Sequence, residues 1–174
     1  MIKKSLIVAS LLFATTNVLA VDAKNFYVGM GMVSGSGEFS ADFGSADYDS
    51  SSLPLKIGYM TKSDNRVEFS LDSSEHEFRG YTGDVSGWNL DWNFTYPEHK
   101  LGDVVTPYWT IGFGSYDFED EVKGNSINYG IGALYDINKN IEVEASYKFK
   151  TISWDEDNAD SKETAMYLGL NYKF

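Results

Sequence analysis

The chain of 174 residues has no cysteine, only two histidines, and 14 basic residues against 26 acidic ones. Each shortage excludes something. Without cysteine there is no disulfide framework and no thiolate-bound metal, so stability must come from hydrogen bonding and packing. A formal charge of −12 leaves no basic face for phosphates, which argues against nucleic-acid binding. Beyond the N-terminus, no segment approaches the ~20 consecutive apolar residues that a membrane helix needs. Any insertion into a membrane must therefore use strands.

What is present begins with an export signal. Lys3 and Lys4 precede an apolar run from Leu6 to Phe13, followed by Val18, Leu19 and Ala20. A charged start, a short apolar core and a small-residue site predict a signal peptide over 1–20, cut after Ala20. Residues 21–174 then form one mature domain, and losing Lys3 and Lys4 takes the charge from −12 to −14.

Strict alternation dominates the rest. Trp88, Leu90, Trp92, Phe94 and Tyr96 share one face of a strand, and Asn89, Asp91, Asn93 and Thr95 share the other. A period of two places successive side chains on opposite sides of a sheet. Alternation and turn residues together predict eight strands, at 25–34, 53–60, 66–74, 87–96, 105–116, 126–136, 141–152 and 163–174. Short connectors at 61–65, 97–104 and 137–140 alternate with longer polar ones at 35–52, 75–86, 117–125 and 153–162. Transmembrane barrels combine an even strand count with short periplasmic turns and longer extracellular loops.

One face of each strand is apolar, as in Ile127, Tyr129 and Ile131 or Met166, Leu168 and Leu170. Rings such as Phe26, Tyr59, Tyr135 and Tyr172 fall near strand ends, like two aromatic girdles. The opposite face carries Gly29, Gly31, Gly58, Gly112, Gly114, Gly130, Gly132 and Gly169, with Tyr27, Tyr108, Tyr116 and Tyr167. Small residues facing large ones would fill the narrow interior of an eight-stranded barrel. Glu68, Asp72, Asp91, Glu142 and Glu144 share that face with Lys56, Arg66, Lys148, Lys150 and Lys173. Buried charges require such pairing. Hairpin register sets Lys56 near Glu68 and Asp72, and Lys173 at the depth of Glu142.

Alternation alone leaves open which face is outside, and a soluble lipocalin-like barrel would turn the apolar face inward. Loop asymmetry, girdle-like rings and pairable charges favour the membrane. So does the chain's end: Met166, Leu168, Leu170, Tyr172 and the terminal Phe174 resemble the C-terminal signal of bacterial outer-membrane proteins. The stretch 25–174 resembles the small OmpA/OmpX-type barrels. That resemblance implies an all-β fold, an eight-stranded antiparallel up-and-down transmembrane β-barrel in the cell outer membrane. It also implies outer-membrane lipid and lipopolysaccharide as surroundings, a monomer, and delivery to the barrel-assembly machinery through Phe174. It is architectural and carries no function by itself.

Chemistry is sparse. His99 lies in a turn beside Glu98 and Lys100. Ser74 and His76 share the polar face at the outer end of the third strand, near Glu75 and Glu77. They offer the one foothold for a lipid A-modifying enzyme, since a nucleophile needs a base and an orienting group. Ordinary rim polarity explains them equally, and the expectation is no enzyme and no catalytic residues. Asp155, Glu156, Asp157, Asp160 and Glu163 cluster in the last loop, and Asp117, Glu119, Asp120 and Glu121 in the third. Asp155–Asp160 lacks the glycine and the distal glutamate of a calcium loop, so no specific metal site and no cofactor are expected, with weak divalent association near lipopolysaccharide as the alternative to plain solvated loops. The leading expectation is a structural or surface-interaction, adhesion-like role carried by the extracellular loops. Phe39, Phe43 and Tyr48 in the first loop and Trp154 in the fourth are the candidate contacts. A small-solute channel is the alternative, with the lipid-modifying enzyme third.

Overall fold

The computed structural model describes residues 23–174, apart from 43, 79–80, 102–103, 119–121 and 156–158. Nine strand segments run in chain order: β1 (Phe26–Ala41), β2 (Gly44–Ser52), β3 (Leu55–Met60), β4 (Arg66–Phe78), β5 (Tyr81–Thr95), β6 (Val105–Phe118), β7 (Val122–Asp136), β8 (Ile141–Trp154) and β9 (Asp160–Lys173). All pairings are antiparallel, and β1 closes on β9. No helix among the described residues is long and apolar enough to cross a membrane.

Nine segments make eight staves. Both β2 and β3 lie between β1 and β4. Their register is continuous, with Met30 opposite Leu55 and Val33 opposite Ser52. The break falls at Pro54, which has no N–H for the ladder, although its carbonyl still accepts from the Gly31 N–H at 3.3 Å. Partners followed once around the ring run Tyr27, Gly58, Glu68, Asp91, Gly112, Asn128, Lys150, Glu163 and back to β1 at Gly37. Arrival at Gly37 rather than Tyr27 is the stagger that a tilted, closed barrel requires.

Strand existence matches the sequence reading, but the long loops do not. Stretches expected as loops at 35–52, 75–86 and 117–125 are mostly strand and 153–162 is half strand; the first two hairpins continue well past the predicted ends, the last two by only a few residues. Glycine, serine and aspartate obscured an alternation that persists there. Gly35, Gly37 and Phe39 face inward while Ser34, Ser36 and Glu38 face outward.

The wall is inverted relative to a water-soluble protein. Exposed large apolar residues outnumber buried ones, with Ile131 66% and Met32 67% exposed, while Glu142 and Glu144 are each 1% exposed. The apolar face is therefore outside. Trp88 stacks near Phe69, and Phe94 lies 4.2 Å from Trp109 between ring centroids. On every stave the last large apolar outward residue is followed, two positions on, by a small polar one. The eight pairs are Met32 and Ser34, Leu53 and Ser51, Leu71 and Ser73, Trp88 and Ser86, Phe113 and Ser115, Ile127 and Asn125, Phe149 and Thr151, Met166 and Thr164. This collar marks the upper edge of the apolar band.

Inside, the expected tyrosines lie over glycines. Tyr27, Tyr108 and Tyr116 sit directly opposite Gly58, Gly132 and Gly87, and a Cβ at any of these glycines would collide with the ring. Tyr167 covers Gly31 and Gly169 in the same way. Beneath and between the rings runs a belt of ion pairs. Arg66 holds Glu142 through two hydrogen bonds of 2.6 and 2.7 Å. Lys56 bridges Glu144 and Glu68, Tyr108 donates to Glu144 at 2.7 Å, and Asn171 donates to both Glu142 and Glu144. Lys148 pairs with Asp91 at 2.6 Å. Lys173 reaches Glu142 at 3.6 Å, as the depth argument predicted. Lys56 departs from expectation. It does meet Glu68, but its other carboxylate partner is Glu144 from across the lumen, not Asp72.

Candidate functional site

Above the collar the four hairpins continue as a sheet whose outer wall is polar and whose inner wall is partly apolar. Val85, Tyr116 and Ile152 form a buried cluster there, against which Phe118 and Trp154 pack. Facing it are Tyr48, Ser50, Ser74, His76 and Glu163. The Tyr48 and His76 rings stack at 4.7 Å and 12°. Ser50 donates to Glu163 at 2.6 Å, and Lys150 lies 3.5 Å from the same carboxylate. Ser50 and His76 are direct partners across β2 and β4, which fixes this grouping.

Burial pushes the His76 imidazole below its ordinary value; Glu163 and Asp72 oppose that shift, and Lys150 adds to it. Burial alone would raise Glu163, but Lys150, the Ser50 hydroxyl and His76 outweigh it and hold the carboxyl below its usual range. Ser74 Oγ lies 3.1 Å from His76 Nε2, so the serine–histidine contact foreseen from the sequence is formed. The same hydroxyl also reaches the Val85 carbonyl at 3.2 Å, and both side chains are buried in the lumen wall. Among the described residues no group of three or more His, Cys, Asp or Glu could hold a metal.

The candidate contact residues are dispersed. Phe39 lies on β1 facing inward rather than in a loop. Phe43 lies outside the described residues. Tyr48 is 3% exposed and covers its partner Gly37. Trp154 is half-buried, covers its partner Gly124, and donates from Nε1 to Ser161 Oγ at 2.8 Å. Tyr48 and Trp154 thus obey the ring-over-glycine rule of the lower barrel. Their register partners were the signal that the loop assignment concealed.

The outer wall is formed by acidic residues that the sequence reading did not choose as contacts, although it noted Glu75, Glu77, Asp155 and Asp160. Glu38, Asp47, Asp49, Glu75, Glu77, Asp84, Asp155 and Asp160 are exposed there, against Lys123 and Lys162. An open groove of about 550 Å³ lies between Ser36, Glu38, Asp47, Asp49, Glu77 and Lys162. Among the described residues, part of the surplus negative charge sits on strands above the band rather than in loops.

A closed eight-stave sheet, apolar without and charged within, defines an integral outer-membrane barrel. The chain belongs to the outer membrane protein beta-barrel domain family, whose profile matches residues 6–174. Neisserial surface protein A is similar in structure, at TM-score 0.62 and 17% identity over 86% of this chain and 97% of that one. So is Ail, the attachment invasion locus protein of Yersinia pestis, at TM-score 0.55 and 17% identity over 87% and 99%. A structure of Ail with the heparin analogue sucrose octasulfate gives TM-score 0.53 and 18% identity over 86% and 99%. No curated protein sequence matches this chain. At such identities the likeness is one of fold.

Proposed function

We infer that this outer-membrane barrel is a surface-interaction protein whose extracellular hairpins make the contact. The observation that carries this reading is the continuation of all four hairpins above the collar with an ordered, polar outer wall. Rigid scaffolds that project such segments commonly use them for recognition. The attachment named for Ail favours the same role. The polyanion bound in one Ail structure does not transfer, because this outer wall is acidic and would repel it. A partner with a basic or neutral face fits the groove beside Glu38, Asp47, Asp49 and Glu77.

The reading also takes up the remaining expectations from the sequence. The signal peptide is cleaved after Ala20. Phe174, exposed at the end of β9, is the segment handed to the barrel-assembly machinery. The apolar band faces lipid and the inner edge of the lipopolysaccharide layer, and the barrel is a monomer. An enzymatic role finds little support, since the Ser74 hydroxyl is shared with the Val85 carbonyl.

The test is retention of the folded protein on immobilised basic and sulfated ligands. The wild-type barrel should bind polylysine-coated beads and not heparin beads. Glu38→Lys with Asp49→Lys should abolish the first without altering heat-modifiable gel migration. Retention on heparin equal to that on polylysine would defeat the reading.

A further inference from the structure

The barrel wall is not equally knit around its circumference. β1 and β9 pair without a break from Tyr27–Lys173 to Ser40–Asp160. Among the described residues β2 meets β4 through four pairs, Asp49–Glu77 to Ser52–Ser74. Directly beneath them both ladders of that stave are interrupted. Toward β4 the pairs stop at Leu55–Leu71 and resume at Ser52–Ser74, so Leu53 and Pro54 fall outside the strands, beside Ser73 and Asp72. Toward β1 they stop at Met30–Leu55 and resume at Val33–Ser52. There the gap is still crossed by the Gly31 N–H, which donates to the Pro54 carbonyl. Pro54 has no N–H to give back to Gly31.

Side chains weaken this seam from outside and hold it from inside. Asp49 and Glu77 are exposed and directly opposite each other, and like charges so placed work against pairing. On the inner face Ser50 is opposite His76, and the His76 ring stacks on Tyr48 of β2. That stack joins the two strands, whereas the Ser50 hydroxyl is given to Glu163 on β9. The seam is thus a short ladder with repulsion outside, a ring contact inside and a gap below. Local opening draws on stretches of this kind.

Position gives the opening a consequence. Tyr48, Asp49 and Glu77 line the open groove on the outer wall. Pro54 and Asp72, at the gap, line the lumen cavity beside Lys56 and Lys150. The same seam therefore lies between groove and lumen. We propose that the β2–β4 seam is a lateral gate that parts at the Tyr48–His76 stack, turns on Leu53–Pro54 and connects the outer groove to the lumen. The β1–β9 closure stays intact throughout. The gate operates whichever partner the groove takes.

The experiment uses the full mature barrel folded in lipid nanodiscs, with a water-soluble maleimide as the probe. The chain has no cysteine, so one introduced thiol reports alone. Ser52 and Ser126 are both buried and inward at the height of the collar, Ser52 at the seam and Ser126 on β7 away from it. Ser52→Cys should lose its free thiol while Ser126→Cys keeps it over the same time. Adding Pro54→Ala returns an N–H to the Gly31 carbonyl and should slow the loss. Glu77→Lys sets an ammonium opposite Asp49 and should slow it too. Equal loss at the two positions would overturn the gate, because the reagent would then enter through a mouth of the barrel. Retention of both thiols would overturn it by showing a seam that stays shut. Loss that neither Pro54→Ala nor Glu77→Lys slows would overturn it as well, since the thiol would then be reached without any parting of the strands. Hydrogen exchange on the unmodified barrel gives a reading that needs no variant to fold. Corrected for intrinsic rates, the amides of the Ser51–Glu75 pair should exchange faster than those of the Ser36–Thr164 pair on β1 and β9. Equal protection of the two pairs would overturn the proposal.

Discussion

The β8–β9 hairpin is built by opposite rules on the two sides of Thr151. Below it, Tyr147 and Phe149 point outward while Lys148 and Lys150 point into the lumen. Above it, Ser153 points outward while Ile152 is buried and Trp154 is half-buried within. The backbone and its ladder do not change; only the medium outside the wall does. Below the collar that medium is lipid, so the wall shows it apolar side chains and the charges pair inside. Above it the medium is water, and the same strands turn polar side chains outward and bury an apolar cluster, alongside polar residues, within. The strand supplies the two faces, and the environment decides which face receives which residues.

The contrast breaks most severely in the belt. Arg66 is buried against Glu142, so Glu142→Ala leaves an unpaired guanidinium in the lumen. That should cost ~3–5 kcal/mol, read from urea unfolding in vesicles. The double change Arg66→Met with Glu142→Leu should recover most of the loss, because the penalty belongs to the unpaired charge rather than to the pair. Failure of the double variant to recover would mean that the belt contributes net attraction.

A second comparison places one charge on the outer wall at two heights. Ile131→Arg sits well inside the apolar band and should cost ~2–4 kcal/mol. Thr151→Arg sits at the collar and should cost ~0–1 kcal/mol in the same assay. Equal costs would mean that the collar does not mark the membrane edge.

Much of the lower barrel was legible in the sequence, because alternation there is strong and turns such as 137–140 are short. Lys173 and Glu142 could be matched from adjacent β8 and β9. The Lys56–Glu144 pair could not, since it crosses the lumen and depends on the stagger of the whole ring. The upper barrel was misread for a compositional reason. Gly35, Ser36 and Gly37 favour turns in isolation, yet here glycine provides clearance for Tyr48 and serine faces water. His76 was seen beside Ser74 because two residues apart on one strand is a local relation. Its stacking on Tyr48 needed the β2–β4 pairing. Glu163 begins the last strand expected from the sequence and also counts in the acidic cluster beside it; the structure makes it an inward residue on β9 held by Ser50.

The upper apolar cluster should fail locally. Ile152→Ala removes methyl groups from the contact with Val85 and Tyr116, and core truncations of this kind cost ~2 kcal/mol at the low end. Hydrogen exchange should quicken at the hairpin tips of β5, β6 and β8 while the band remains protected. Equal acceleration below the collar would show the two halves to be one cooperative unit.

The smallest effect is expected from pH, and it is confined to the upper half. His76 faces Tyr48 from β2, Asp72 and Ser74 from its own strand, Lys150 from β8 and Glu163 from β9. Burial lowers its proton affinity below that of an unfolded histidine, which titrates near ~6.5. The opened hairpin therefore binds the proton more readily than the closed one. Stability from this group is complete above the unfolded value and declines as pH falls through it toward the lower folded value. Glu163, also depressed, adds a loss of the same sign at more acidic pH, below the ordinary carboxylate range. Protection at the β2 and β4 tips, taken relative to the intrinsic exchange rate, should therefore fall as the pH is lowered from about 7.5 to about 5, and His76→Gln should flatten that part of the profile. The exposed pair of strands at the periplasmic turn 137–140, which has no histidine, should show only the intrinsic dependence of exchange. Tips that grow more protected as the pH falls would reverse the assignment. The Glu163 carboxylate would then hold the imidazolium more strongly than burial opposes it.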